Sequence, residues 1–422
     1  MKVLVLGSGG REHAIAWQIS KSPLLEQLYA IPGNPGLAEI AECQAIKLDD
    51  FPAIADFCIT QKIDLVIVGP EQPLADGIVE FLEERQIKVL GCNSYAAQLE
   101  SSKAFTKEIC AKRQIKTAAY QIFAAEQPAL DYIAKQQKFP QVIKADGLAA
   151  GKGVIIAETL AEAQAAIKDI FAGKFGQMSK IVIEEFLTGI EASFFVLADG
   201  LDYKILSSAG DHKRIGEGDT GPNTGGMGTY SPSPYITESL VAEICRDTIE
   251  PTLAELAEQG KPFRGILFAG LMITEQQEPY LIEYNIRFGD PETQSILARL
   301  ESDFLSLALA AVNGNLAEEE VRFSEQKAVT LVLSAKGYPE SYEKGTKIDL
   351  GKLAHLKNLH IFHAGTALKD KQLVANGGRV LNLTAIGDNF QACLDTVYEA
   401  AELVDWSDKY YRRDIAHQIT SS

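Results

Sequence analysis

Between Lys2 and Gly91 short apolar runs alternate with longer amphipathic segments. KVLVL (2–6), QLYAI (27–31), DLVIVG (64–69) and KVLG (88–91) read as buried strands, and 12–20, 51–63 and 77–87 read as helices. Strands joined through helices pair in parallel, because a parallel neighbour needs a crossover, so this region is expected to form a doubly wound parallel sheet. Ligands of such sheets sit beyond the carboxyl ends of the strands. The loops at those ends are GSGGRE (7–12), PGN (32–34) and GPE (69–71).

The pattern then changes. Helices are expected over Ala96–Arg113 and about 127–137, followed by strands at 141–145, 153–157 and 180–186, joined by a glycine-rich turn. Strands without a crossover helix between them imply an antiparallel α+β unit. A second such unit carries strands at 192–199, 265–273 and 279–285 and a helix from Pro291 with Asp290 as its cap. Strands at 328–335, 360–365 and 379–387 and a helix over 389–404 complete the chain. One stretch, GDHKRIGEGDTGPNTGGMGTYSPSP (Gly210–Pro234), reads as neither helix nor strand. Long structureless segments inside domains are uncommon and are usually functional or disordered.

Composition narrows the class. The 422 residues carry a net charge of −17, which disfavours non-specific nucleic-acid binding. No apolar run approaches membrane-spanning length. The six cysteines are scattered without a C-x-x-C pair, which argues against zinc and disulfides and fits a reducing cytoplasm. The first residues lack the features of a secretory signal.

GSGGRE matches G-x-G, but its sixth position is Glu12, and no acid follows the second strand. Both departures weigh against a nicotinamide cofactor. A phosphate at the helix N-terminus and a tight turn without ligand both remain open. DGLAAGKG (146–153) differs from a Walker A loop in spacing and in lacking Ser or Thr, yet its glycines and Lys152 can fold over a triphosphate, with Lys144 on the strand before it. IVIEEFLTGIEASF (181–194) ends an apolar strand with two acids and adds a third at Glu191. In LIEYNIRFGDPET (281–293), Glu283 and Asn285 are two apart on a strand and share a face. A carboxylate and an amide oxygen suit Mg²⁺. Arg287 falls on the same face if the extended backbone continues.

This order of parts resembles the ATP-grasp superfamily. With the flanks VLVLGSGGREHAIAW, IVGPEQPLADGI, AAQLESSKAFTKE, IKADGLAAGKGV, EYNIRFGDPETQ and FHAGT…NGGRVL, and with the 211–234 stretch, the chain is similar from residue 2 to about 415 to the phosphoribosylamine–glycine ligases, the glycinamide ribonucleotide synthetases of purine synthesis. A nicotinamide oxidoreductase, a carboxylating ligase of the same pathway and a non-catalytic nucleotide module each miss part of this set.

The resemblance implies an N-terminal α/β domain (1–102), an ATP-grasp small lobe with a glycine-rich lid (103–190), a large lobe with the metal strand (191–326) and a small mixed α+β domain (327–422). It implies ATP, with Mg²⁺ or Mn²⁺ on Glu283 and Asn285. Lys103, Lys144, Gly147, Gly151, Lys152 and Gly153 would meet the phosphates, and Glu184, Glu185, Leu187 and Glu191 the adenosine. Arg287, Asp290 and Lys144 would surround the reacting groups. Glycine and 5-phosphoribosylamine would meet Gly9, Gly10, Arg11, Glu12, Gly33, Asn34, Gly69, Pro70 and Glu71 at the strand ends. They would also meet Asp211, Lys213, Arg214, Asn223, Thr224, Gly225 and Gly226 in the long loop, along with Arg287. A cytoplasmic monomer is expected, in at most transient contact with other purine-pathway enzymes, with no nucleic-acid or membrane partner.

Overall fold

The computed structural model describes residues 1–148, 153–174, 176 and 179–420, and every count here is of those residues. Five strands open the chain: β1 (Lys2–Gly7), β2 (Gln27–Pro32), β3 (Glu42–Cys43), β4 (Leu65–Val68) and β5 (Val89–Leu90). They form the expected parallel sheet in the order β3-β2-β1-β4-β5. Helices α1 (Gly10–Ile19), α2 (Phe51–Gln61), α3 (Glu71–Ala75) and α4 (Ile78–Glu83) connect them. Alternate residues of β1 go to opposite cores: Leu4 and Leu6 pack with Ile54 and Leu82, and Val3 and Val5 with Ile15 and Ile19.

The helix expected over 96–113 is two, α5 (Gln98–Ser101) and α6 (Lys103–Arg113). Ser102 between them has extended backbone and its hydroxyl accepts the Phe105 N–H at 3.1 Å, capping α6. The same hydroxyl donates to Asp146. The break therefore anchors the loop after β7 and puts Lys103 in the first turn of a helix.

A four-stranded antiparallel sheet follows, ordered β6-β9-β7-β8, from β6 (Tyr120–Phe123), β7 (Gln141–Ala145), β8 (Val154–Ala157) and β9 (Ile181–Glu185). Helices α7 (Glu126–Ile133) and α8 (Leu160–Phe171) cover it with a separate core around Ile143, Ile167 and Ile183. β6 has no counterpart in the sequence reading. Three of its four residues are half-buried, so it shows little apolar periodicity.

The long loop is where expectation and structure differ most. β10 (Ile190–Asp199) turns into β11 (Tyr203–Asp211), which reaches into the glycine-rich stretch. β12 (Arg214–Gly216) and β13 (Thr220–Asn223) make a hairpin, and β14 (Gly228–Ser231) is a fully buried strand. Glycine-rich sequence is depleted in strands because it has few side chains to pack, but β14 is held by hydrogen-bonded neighbours on both edges. It pairs with β11 on one side and with β17 (Lys327–Ala335) on the other.

β14 therefore joins two sheets into one. With β15 (Arg264–Ile273), β16 (Pro279–Asn285), β18 (Leu359–His363), β21 (Arg379–Gly387) and β22 (Lys409–Tyr410), the order runs β16-β15-β10-β11-β14-β17-β21-β18, with β22 on β17. β19 (Thr366–Lys369) and β20 (Gln372–Ala375) form a small hairpin. Helices α9 (Glu238–Ile244) and α10 (Glu250–Glu258) precede β15, α11 (Glu292–Arg299) and α12 (Phe304–Asn313) follow β16, and α13 (Phe390–Leu403) follows β21. Asp290 does not cap α11. The helix starts at Glu292, and the Asp290 carboxylate instead accepts from the Gln294 amide at 2.7 Å.

Removing the Ser102 hydroxyl tests the helix break. Ser102→Ala is expected to lower unfolding stability by about 1 kcal/mol. Urea titration checks this; an unchanged midpoint would show that the cap contributes nothing.

Candidate active site

The carboxyl end of β7 and the first turns of α6 bring three lysines together. Lys144 on β7 lies 2.9 Å from one Glu184 oxygen, and Lys107 on α6 lies 3.1 Å from the other. All three side chains are almost completely buried. Lys144 also donates to the Ile282 carbonyl at 3.2 Å, and Lys103 to the Gly147 carbonyl at 3.2 Å. Of the two adjacent acids ending β9, only Glu185 faces outward, where it accepts the Ala119 N–H. Leu187 is half-buried in the otherwise exposed connection to β10, and Gly153 accepts the Ala145 N–H through its carbonyl. Gly151 and Lys152 lie outside the described residues. Lys107 escaped the sequence reading, although it sits four residues after Lys103, on the same helix face.

On β16, Glu283 and Asn285 are half-buried while Tyr284 is buried. The alternation carries on past the strand end, with Ile286 and Phe288 buried and Arg287 half-buried. Burial would raise the Glu283 carboxyl, but Lys213, Lys144, Lys103 and Arg287 together hold it below the ordinary range. Those four cations come from four separate segments. Lys213 in turn contacts Glu191 at 2.7 Å, and it faces Glu283 and Asp211.

The loops of the parallel sheet meet this strand from the other side. Glu12 accepts the Gly9 N–H at 2.6 Å and the Arg11 Nε–H at 2.6 Å. A Cβ at Gly7 or Gly69 would overlap the Glu12 side chain. The glycines thus make a slot that the chain fills with its own carboxylate, which explains the Glu in place of the fingerprint Gly.

Arg11 donates to the Phe288 carbonyl. Arg287 donates to Glu71, just after Pro70, at 3.1 Å and to Glu100 at 2.6 Å. Burial raises the Glu71 carboxyl, but Arg287 and Arg11 overcome it and bring it to about 2. Glu100 is more deeply buried and rises to about 7 despite Arg287.

Other predicted residues are spread around this centre. The Asn34 amide donates to Ser8 and His363 carbonyls, both at 2.8 Å, and its oxygen accepts the Leu37 N–H, so it ties three segments together. Gly33 packs on Cys43, and Gly10 against Asn382 and Gln294. Asp211 is half-buried beside Glu292, and desolvation and that neighbour raise its carboxyl. Arg214 donates to the Gly221 carbonyl and pairs with Asn223 across the hairpin. The Thr224 hydroxyl bonds to the Lys213 carbonyl and accepts the Gly226 N–H.

Arg379, from the NGGRVL motif of the C-terminal strands, was not anticipated. It donates to the Gly225 and Asp290 carbonyls and lies 3.5 Å from the Asp290 carboxylate. Its motif was visible; its reach across the molecule was not.

Glu100 has a pH signature. Its folded value of about 7 lies above its ordinary 4.5, so the native state keeps a proton that the unfolded chain loses. The stability this contributes is full below about pH 4.5 and is lost as pH rises to about 7. Glu100→Gln, which mimics the protonated acid, should match the wild type at the low end and exceed it by about 3 kcal/mol at the high end. Urea titrations across this window check it; parallel profiles would contradict it.

Three family models cover the chain. The N domain of phosphoribosylglycinamide synthetase matches residues 1–100, its ATP-grasp (A) domain 101–293 and its C domain 328–418. The phosphoribosylamine–glycine ligase of Brucella melitensis is 52% identical over 417 residues, covering 98% of this chain and 97% of that protein. The crystal structure of the same ligase from Thermotoga maritima superposes with a TM-score of 0.85 at 35% identity, covering 99% of this chain and all of that one. A biotin carboxylase domain from Hydrogenobacter thermophilus, solved with MgADP and bicarbonate, shares the fold at a TM-score of 0.74 and 18% identity, covering 97% of this chain and 91% of that one. Slot, lysine cluster and the Glu283–Asn285 face of β16 thus occur in a chain matched along nearly its whole length: it belongs to the phosphoribosylglycinamide synthetase family of ATP-grasp ligases.

Proposed function

We propose that this chain joins glycine to 5-phosphoribosylamine in purine synthesis: ATP + glycine + 5-phosphoribosylamine → ADP + phosphate + glycinamide ribonucleotide. The observation that carries the reading is the convergence of Lys103, Lys144, Lys213 and Arg287 on half-buried Glu283. Four cations brought from separate segments to one small region suit a polyanion such as a triphosphate.

The glycine carboxylate attacks the γ-phosphorus, the bond to the β-phosphate oxygen breaks, and ADP leaves with that oxygen. The ribosyl amine then attacks the acyl carbon of glycyl phosphate, phosphate leaves, and the amine loses a proton. No protein nucleophile is needed. The chain contributes positioning and charge. Lys103 and Lys144 face the phosphates, with Gly147 and Gly153 beside them; Gly151 and Lys152, expected to bind phosphate, lie outside the described residues. Glu184 is taken up by Lys107 and Lys144, so its part is to aim Lys144. Backbone at Glu185–Leu187 reads adenine, and Glu191 accepts from the ribose.

Arg287 and Asp290 border the reacting groups. The acceptor side is formed by Gly9–Glu12, Gly33–Asn34 and Gly69–Glu71, together with Asp211, Lys213, Arg214 and Asn223–Gly226. Glu283 and Asn285 would hold Mg²⁺ or Mn²⁺: the carboxyl is kept ionised by its neighbours, and the amide oxygen lies two residues away on the same face. When bound, the ion neutralises phosphate charge. Units at 1–102, 103–190, 191–326 and 327–422 and a cytoplasmic monomer complete the proposal.

The test is ADP release with each substrate omitted in turn, the phosphoribosylamine being generated in situ. Release that is independent of glycine would refute the reaction. Glu283→Gln should cut turnover on the order of a hundredfold while leaving thermal stability near wild type. Turnover near wild type would remove Glu283 from the metal site.

A further inference from the structure

Among the described residues, one group of ligand-type side chains lies close enough to surround a metal ion: His212, Asp219 and His417. The hydrogen bonds point elsewhere. His212 Nε2 accepts the Ala416 N–H at 2.8 Å, so the neutral ring carries its proton on Nδ1, the atom that faces Asp219 at 3.8 Å. That nitrogen has no lone pair to give a cation. The Arg412 guanidinium, completely buried, occupies the same Asp219 oxygen at 2.8 Å. The group is a clasp between protein segments.

The clasp holds one object, the β12–β13 hairpin, which forms a two-stranded sheet of its own. Six hydrogen bonds reach 212–219 from residues 410–416. Arg412 donates to the Arg214 carbonyl and to Asp219, and Tyr410 to the Ile215 carbonyl. Asp414 accepts the Gly218 N–H, Glu217 the Arg413 N–H, and His212 the Ala416 N–H. Asp414 also takes a second pair of Arg412 donors.

Next to His212 is Lys213, and neighbours in extended backbone point to opposite sides. The His212 ring enters the clasp, and the Lys213 ammonium reaches Glu191 and faces Glu283. The Lys213 carbonyl, accepting the Thr224 N–H at 2.7 Å, closes the hairpin. We propose that Arg412, by fixing Asp219 and the Arg214 backbone, is a positioning residue for Lys213, so that the C-terminal segment sets the geometry of the phosphate and acceptor site. This rests on the reading of Lys213 given under Proposed function.

A double-mutant cycle of Arg412→Met and Lys213→Met tests it. Arg412→Met should lower kcat/KM about tenfold, and the double variant should be no worse than Lys213→Met alone, because both changes remove one function. Arg412→Lys should recover part of the loss. Losses that multiply, or an Arg412→Met enzyme equal to wild type, would overturn the proposal. Should Arg412→Met fail to fold, Asp219→Asn takes its place in the same cycle with the same expectations, since Asp219 is partly exposed.

Amide hydrogen exchange supplies a readout without turnover. Arg412→Met, or Asp219→Asn in its place, should speed exchange at Thr224 while leaving β10 unchanged; unchanged Thr224 exchange would refute the clasp. Wild-type protein without glycine-dependent ADP release would sink the proposed reaction, and the exchange result would then decide the clasp by itself.

Discussion

A carboxylate withdrawn from water must find opposite charge, and Glu283 finds it in four places. Lys103 stands at the head of α6, Lys144 near the end of β7, Lys213 just past β11 and Arg287 just past β16. None is a neighbour of another in sequence. Each has a carboxylate or carbonyl partner of its own: Lys103 the Gly147 carbonyl, Lys144 Glu184, Lys213 Glu191, Arg287 Glu71 and Glu100. The site is thus a lattice of opposite charges that exists only when both lobes and the parallel sheet are docked. Single buried pairs add little to stability, but here they specify how the parts meet.

Glu12 does the equivalent work at the parallel sheet. A helix N-terminus offers unpaired N–H groups, and a glycine turn there invites an anion. This chain supplies the anion itself, with Gly7 and Gly69 leaving room for it. Arg11, held by Glu12 through its Nε–H, reaches the Phe288 carbonyl in the loop after β16. A fold associated with dinucleotides is thereby turned into a platform for a neighbouring site.

Much of this was legible in the residues. Continuous apolar runs between helices foretold the parallel sheet, and the Glu283-x-Asn285 spacing foretold that these two side chains share one face of β16, because both signals are local periodicities. What stayed hidden depends on distant partners. β14 lacks alternation because both its faces and both its edges are covered. Lys107 reads as an ordinary surface helix residue until Glu184 is placed against it. Glu100 and Arg379 meet Arg287 and Asp290 across long sequence separations, and no spacing rule reaches so far. The single helix expected over 96–113 breaks at Ser102, whose cap on the Phe105 N–H no apolar periodicity signals.

The strand shared through β14 has a mechanical consequence. A body hydrogen-bonded along both edges of a strand can swing only by breaking a ladder, so the large lobe and the C-terminal strands travel as one piece. The β6–β9 sheet exchanges no strand with that piece and keeps its own core. It is tied on by short links, among them the Thr117–Leu281 bridge and the Lys144–Ile282 bond. The β6–β9 sheet is thus joined to the rest mainly beside β16, where the Lys144–Ile282 bond lies next to Glu283.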